Sequence, residues 1–356
     1  MSGVRVGKRI VGSGELPYII AEGATNHNNR LDLGLRLIKE AHSAGADAIK
    51  FQTYTAEGLV TKTAPRFWDM ADKDNKAEGT QYDAYTKVDK LSEEAYQEMK
   101  RYADEIGINF FSTPFDEKSA EFLEALGVQA YKIASCDVTN IPFLKHIARF
   151  DKPIFLSTGI SNIGEVQEAV DAITEEGNEK IILMHCTIKY PTPYENVNLR
   201  AMQTMQTVFP DIPIGISDHS IGIEIPLAAI ALGATCIEKH YTFDKNAELS
   251  SDHWLAVDTA ELGDLVSKTQ HIYMAMGSNV KKMDPSEQLG KLYARRSLVA
   301  NRGINPGEKI AREDISIKRP GTGIAPKYLD LVIGTRASRR IEEDQVLQWD
   351  DILRRE

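Results

Sequence analysis

Two lysines and two histidines carry the first chemical information in this chain. Lys50 in AGADAIKFQ and Lys132 in AYKIAS stand in otherwise apolar runs, where an unpaired ammonium is costly to bury. Something anionic must answer each of them. One answer is a phosphate or carboxylate ligand, with Ser and Thr hydroxyls and helix N-termini as further donors; the other is an internal carboxylate such as Glu22, Asp137 or Glu238. His219 and His240 close two successive runs, IGISDHS and IEKH, so their imidazoles can converge on one divalent cation and leave positions open to water and substrate oxygens. The competing reading makes each a hydrogen-bonded structural histidine. Glu22 can add an oxygen or orient a metal-bound water, with Asp218 behind the ligands.

Such residues need a scaffold that gathers distant segments. Short β-branched runs at 17–22, 46–52, 109–113, 130–135, 153–157, 181–186, 213–217 and 235–240 alternate with amphipathic stretches such as 31–43, 93–105, 119–126, 163–174, 226–232 and 259–276. Strict β and α alternation means parallel strands, and eight of them predict closure into a (β/α)8 TIM barrel, with an open doubly wound sheet as the structural rival. In a barrel the C-terminal strand ends build the site. Nearly every strand supplies a polar residue there: Glu22, Lys50 and Gln52, Thr113, Lys132 and Ser135 with Asp137, Ser157, His185, Ser217 with His219, and His240. The charged, aromatic segment 62–90 is too long for an ordinary connection and reads equally as a lid or as a solvated insertion.

The chain has 356 residues, 42% hydrophobic and 26% charged, which suits one barrel with an appendage and excludes disorder, collagen and coiled coil. We expect a barrel over 1–276, a polar linker over 277–294 and a small β-rich domain over 295–356. A net charge of -10 argues against nucleic acid or an anionic membrane as partner. The three cysteines, Cys136, Cys186 and Cys236, form no CxxC pair, which indicates neither a disulfide framework nor a structural zinc site and fits a reducing cytoplasm; Cys136 and Cys186 read as packing residues. Neither a signal-peptide pattern nor an 18-residue apolar run occurs.

Read together, IAEGATNHNN, AGADAIKFQTY, FFSTPFD, YKIAS, HCTIKYPTPYENVNL, IGISDHS and IEKHYTFD resemble the sialic acid synthase family, the phosphoenolpyruvate-condensing nonulosonate synthases. YARRSLVA and IKRPGTG resemble the antifreeze-like SAF domain that closes those enzymes. The resemblance implies condensation of phosphoenolpyruvate with an N-acylated mannose-type sugar, N-acetylmannosamine first, to give N-acetylneuraminate and phosphate with Mn2+ or Mg2+. N,N'-Diacetyllegionaminate and pseudaminate synthases are rivals within the class, and a sugar-binding barrel without activity is the rival outside it. It also implies roles. His219 and His240 bind the metal; Lys50, Thr113, Lys132, Ser135 and Ser217 hold phosphoenolpyruvate; Glu22 and Asp137 join the histidines as catalytic groups; Gln52, Tyr190, Asp252, Tyr293 and Arg319 face the sugar. Arg319 would reach a neighbouring subunit's site, which implies a domain-swapped homodimer. Two positions depart from the family pattern: Asp137 replaces a common Glu, and Ile188 replaces a polar residue near the phosphate, so either the local register differs or one contact is missing.

Overall fold

The computed structural model describes residues 3–67, 79–247, 250 and 252–353. The chain divides into two compact units, residues 1–277 and 278–356. The first opens with a hairpin, β1 (Val4–Val6) and β2 (Arg9–Val11), joined antiparallel. Eight parallel strands follow: β3 (Tyr18–Ala24), β4 (Ala48–Thr53), β5 (Asn109–Pro114), β6 (Tyr131–Ile133), β7 (Ile154–Ser157), β8 (Ile181–Cys186), β9 (Ile214–Asp218) and β10 (Cys236–His240). Pairing of β10 with β3 closes the barrel. The expected fold is the observed one.

Local chemistry explains why the connecting helices start and stop where they do. The helix Glu93–Ile106 begins on Ser92, whose side chain accepts the Ala95 N–H, and ends at Gly107 with φ 87°, a left-handed position that glycine adopts without a Cβ clash. Tyr96, Met99 and Ala103, spaced three and four apart, turn its buried face to the barrel. Ile163–Glu175 starts with a reciprocal capping box between Asn162 and Glu165. The N-terminal hairpin was not apparent in the sequence. It sits at the bottom of the barrel, where Arg9 pairs with Asp47 and donates to the Leu16 carbonyl at 2.7 Å.

Two local features aim the mouth of the barrel. The β3–β4 register shifts between Glu22 and Ala24, at Gly23, where a Cβ would lie 2.9 Å from Phe51 Cε1; a bulge with close backbone approach re-aims the side chain beside it. Strand β6 stops at Ile133, two residues before the expected end, because the chain turns at Ala134 into a 3-10 turn, Ser135–Asp137. That turn carries both expected site residues. Of the segment read as a lid or insertion, residues 68–78 lie outside the described residues, while Arg66, Phe67, Gln81, Tyr85 and Val88 on its flanks line the cavity at the mouth.

The second unit holds β11 (Ser297–Ala300) antiparallel to β12 (Ile315–Lys318), and β13 (Arg336–Ala337) antiparallel to β14 (Ile352–Leu353). Leu298, Ile304, Ile310, Ile324, Ile341 and Leu347 give it a core of its own. The stretch expected as a polar linker, 277–294, contains a short helix, Gln288–Tyr293. No described helix is long and apolar enough to cross a membrane.

Candidate active site

One cavity of about 690 Å³ opens at the C-terminal strand ends. Its lining includes Glu22, Lys50, Gln52, Thr113, Lys132, Ser135, Asp137, Tyr190, Ser217, His219, His240 and Asp252. Twelve of the fourteen expected site residues therefore meet at one place. Tyr293 and Arg319 belong to the second unit, where Tyr293 ends the short helix and Arg319 follows β12, both exposed.

The lysines are held as follows. Lys50 Nζ lies 2.7 Å from Glu22 Oε2 and donates to Thr113 Oγ1 at 2.8 Å. Lys132 Nζ lies 3.3 Å from Glu238 Oε1, which also accepts the Ser217 hydroxyl at 2.9 Å, and Lys50 reaches Glu238 Oε2 at 4.0 Å. Internal carboxylates thus answer both lysines, yet the cavity still opens onto all four groups. Register places them there, since Glu22 is opposite Lys50 on β4 and His240 on β10, and Glu238 is opposite Ser217. Gln52 donates to Glu22 Oε1 at 3.0 Å. Glu238 is the main residue the sequence reading underrated, because it entered only as a neutralising neighbour.

Burial pushes the Glu22 carboxyl up to about 7, with Lys50 opposing the rise and Glu238 adding to it. Burial acts upward on Glu238 too, but Lys132 and Lys50 hold that carboxyl below the usual range. Asp137 is raised by burial and accepts the Asn140 amide at 3.1 Å. Several buried polar atoms have no hydrogen-bond partner, including Glu238 Oε2, Ser157 Oγ and His240 Nδ1. In a packed interior such atoms are rare, and these three residues all line the cavity.

The histidine pair sits beside this cluster, ring centroids 5.3 Å apart, with the Tyr190 ring 4.2 Å from that of His219. His219 Nδ1 donates to the Thr187 carbonyl at 2.9 Å, so the neutral ring offers its Nε2 lone pair to a ligand; burial favours that neutral form, but Cys186, the Thr187 carbonyl and Asp218 together hold the imidazole above its ordinary value. His240 Nδ1 is 3.9 Å from Asp252 Oδ2. Burial and the neighbouring cations hold His240 well below its ordinary value, so it is neutral at pH 7, as a metal ligand must be. Among the described residues no three His, Cys, Asp or Glu side chains converge at metal-binding spacing. The donor set fits an ion held by two protein nitrogens and completed by substrate or water oxygens.

Two details correct or resolve the sequence reading. Cys186, read as packing, has its Sγ 3.8 Å from His219 Nδ1 and lines the cavity; the two meet because β8 and β9 are neighbours. Ile188 also lines the cavity, against Gly159, whose N–H donates to Ser135 Oγ at 3.0 Å. An apolar side chain occupies this part of the wall. His253 is a hydrogen-bonded structural histidine: Nδ1 meets Thr242 Oγ1 at 2.7 Å and Nε2 meets Asn28 Oδ1 at 3.1 Å.

Comparison with known proteins agrees with this geometry. Residues 37–281 match the NeuB family and residues 295–353 the SAF domain. An uncharacterized protein of Methanocaldococcus jannaschii is 44% identical over 353 residues, 99% of each chain. The N,N'-diacetyllegionaminic acid synthase of Legionella pneumophila is 40% identical over 346 residues, 96% of each. A crystal structure of the N-acetylneuraminic acid synthetase of Leptospira borgpetersenii in complex with citrate superposes with TM-score 0.71 at 34% identity, covering 81% of this chain and 94% of that one. A closed barrel with lysines, acids and histidines at one mouth, followed by a SAF domain, makes this chain a member of the NeuB family of nonulosonate synthases.

Proposed function

We propose that this chain condenses phosphoenolpyruvate with an N-acylated mannose-type sugar and water, giving a nonulosonate and inorganic phosphate. The observation that carries the reading is the pairing of Lys50 and Lys132 with Glu22 and Glu238 around an open cavity beside His219 and His240. Two buried ammoniums supply strong donors to a phosphate and a carboxylate. Thr113, Ser135 and Ser217 add neutral donors. A divalent ion held by His219 and His240, Mn2+ or Mg2+, would supply Lewis-acid polarisation of the sugar aldehyde. In the reaction C3 of phosphoenolpyruvate bonds to the aldehyde carbon, whose oxygen takes the C=O pair and a proton; water adds at C2 and gives up a proton, and the C–O bond to phosphate breaks with its electron pair and the C2 hydroxyl proton leaving on phosphate. Glu22 takes the proton of the adding water, a task suited to a carboxyl whose ordinary range burial has raised toward neutrality. Asp137 contacts a sugar hydroxyl, directly or through a water that makes good its shorter side chain.

N-Acetylmannosamine is the first sugar assigned. A diacetamido-trideoxyhexose is the second reading, favoured by the identity to the Legionella enzyme and by an apolar wall of Leu59, Val60, Val88 and Leu255, which offers no hydrogen bond to sugar hydroxyls. We assign Arg319 to the N-acyl group in a partner subunit's cavity within a swapped homodimer, on the strength of the sequence resemblance and of its exposure. Its test is complementation: an Arg319→Ala chain mixed with a His240→Ala chain regains activity if the site is shared, and stays inactive if it is not.

The function itself is tested by phosphate release from phosphoenolpyruvate with Mn2+ and, in separate reactions, N-acetylmannosamine and the two diacetamido-trideoxyhexoses. Release that requires one sugar supports the reading and names the substrate. No sugar-dependent release with any of them contradicts it.

A further inference from the structure

Asp218 and Lys239 immediately precede the two histidines, stand directly opposite each other in the β9–β10 register, and do not line the main cavity. Both side chains are 1% exposed, and Lys239 Nζ lies 2.6 Å from Asp218 Oδ2. The ammonium also donates to the Ser220 carbonyl, while Asp218 accepts the Ser220 N–H at 3.0 Å and the Ser220 hydroxyl at 2.9 Å. Residue 219 is thus gripped on both sides by one ion pair. Its own carbonyl accepts the Thr192 N–H at 2.9 Å, and its ring is tied to the Thr187 carbonyl.

Stability alone does not explain such a pair. Positions on a barrel strand that point away from the interior pack against helices, where aliphatic residues serve, and a buried ion pair is commonly no more stabilising than a hydrophobic pair of the same volume. What the ions add is direction. A charge-assisted contact at 2.6 Å fixes the relative height and tilt of β9 and β10 at the step that carries the two imidazoles. We infer that Asp218 and Lys239 are a positioning pair that sets the separation and aim of His219 and His240, and thereby the divalent-cation affinity of the site. The inference rests on the reading of those histidines as the metal ligands.

The experiment is a Mn2+ titration of the full chain, followed by the electron paramagnetic resonance signal of free Mn2+, with thermal midpoints measured in parallel. The proteins are wild type, Asp218→Asn, the apolar double variant Asp218→Leu/Lys239→Met, and His240→Ala. A positioning role predicts Mn2+ affinity lower by about ten- to a hundredfold in Asp218→Asn and in the double variant, with the double variant's thermal midpoint close to wild type. A merely structural pair would lower the midpoint and leave Mn2+ affinity unmoved in whatever fraction folds. Wild-type affinity in Asp218→Asn overturns the inference, including in the event that the double variant does not fold, because Asn keeps the shape and an oxygen to accept the Ser220 N–H while removing the charge that orders Lys239. Failure of the underlying reading looks different. In that case His240→Ala itself binds Mn2+ as well as wild type, or wild type binds none, and the inference goes with it.

Discussion

At the lower end of the barrel Arg9 pairs with Asp47, whose other oxygen accepts the Ile19 N–H at 2.8 Å, and Tyr18 accepts the Asn109 amide at 2.6 Å. At the upper end Lys50 and Lys132 also pair with acids, but Glu238 Oε2, Ser157 Oγ and His240 Nδ1 are buried with no hydrogen-bond partner. Both ends hold ion pairs and buried polar side chains. The satisfaction differs: buried polar atoms cost free energy unless something bonds them, and on the proposed function those that face the cavity are bonded by a ligand. The hairpin β1–β2 is tied to the lower end through the Arg9 side chain, whereas the upper end opens into a cavity of about 690 Å³.

Mutations at the two ends should therefore fail in different assays. The largest effect is expected from Lys132→Ala, which removes a charged donor at the mouth and should raise the phosphoenolpyruvate KM by about 10- to 100-fold. An unchanged KM would mean that this lysine only neutralises Glu238. Asp47→Ala, at the other end, should cost about 2 kcal/mol in chemical denaturation, because it strands Arg9 and the Ile19 N–H, while kcat stays at the wild-type value. A large loss of kcat there would erase the contrast between the ends.

Acidity sharpens the same contrast. Glu22 has its carboxyl raised from 4.5 to about 7 in the folded chain, so between those values the native state holds a proton that the unfolded state has released. Stability from this group accordingly falls as pH rises through that window and is greatest below it. The difference in unfolding free energy between wild type and Glu22→Gln, followed from pH 4 to pH 8, should carry this slope, and a flat difference would place the group's titration elsewhere. The smallest effect is expected for Gly7→Ala. Gly7 has φ 55° and a Cβ there would lie 2.3 Å from Asn109 Oδ1; the substitution should cost about 1 kcal/mol and leave turnover unchanged.

The sequence made the barrel legible because each strand is a short β-branched run between amphipathic helices; β8 occupies the residues expected, Ile181–Cys186. The clustering of Lys50, Lys132, His219 and His240 followed from their positions at strand ends. What could not be read was partner choice. Whether Lys132 meets Glu238, Asp137 or a ligand depends on the stagger of β10, β3, β4 and β6, segments far apart in the chain, and no local pattern encodes it. The hairpin escaped for a different reason: two strands of three residues each are too short for alternation to register. Ile188 was legible as a departure, and the cavity wall confirms that its apolar side chain lines the site.

The central claim is that the buried lysines at the mouth serve an anionic substrate as well as their own acids. It is tested most directly by calorimetric titration of phosphoenolpyruvate into wild type and into Lys50→Gln/Lys132→Gln, with circular dichroism to establish that both are folded. We expect one phosphoenolpyruvate bound per chain in the wild type and none detectable in the double variant. Equal binding by two folded proteins would contradict the account.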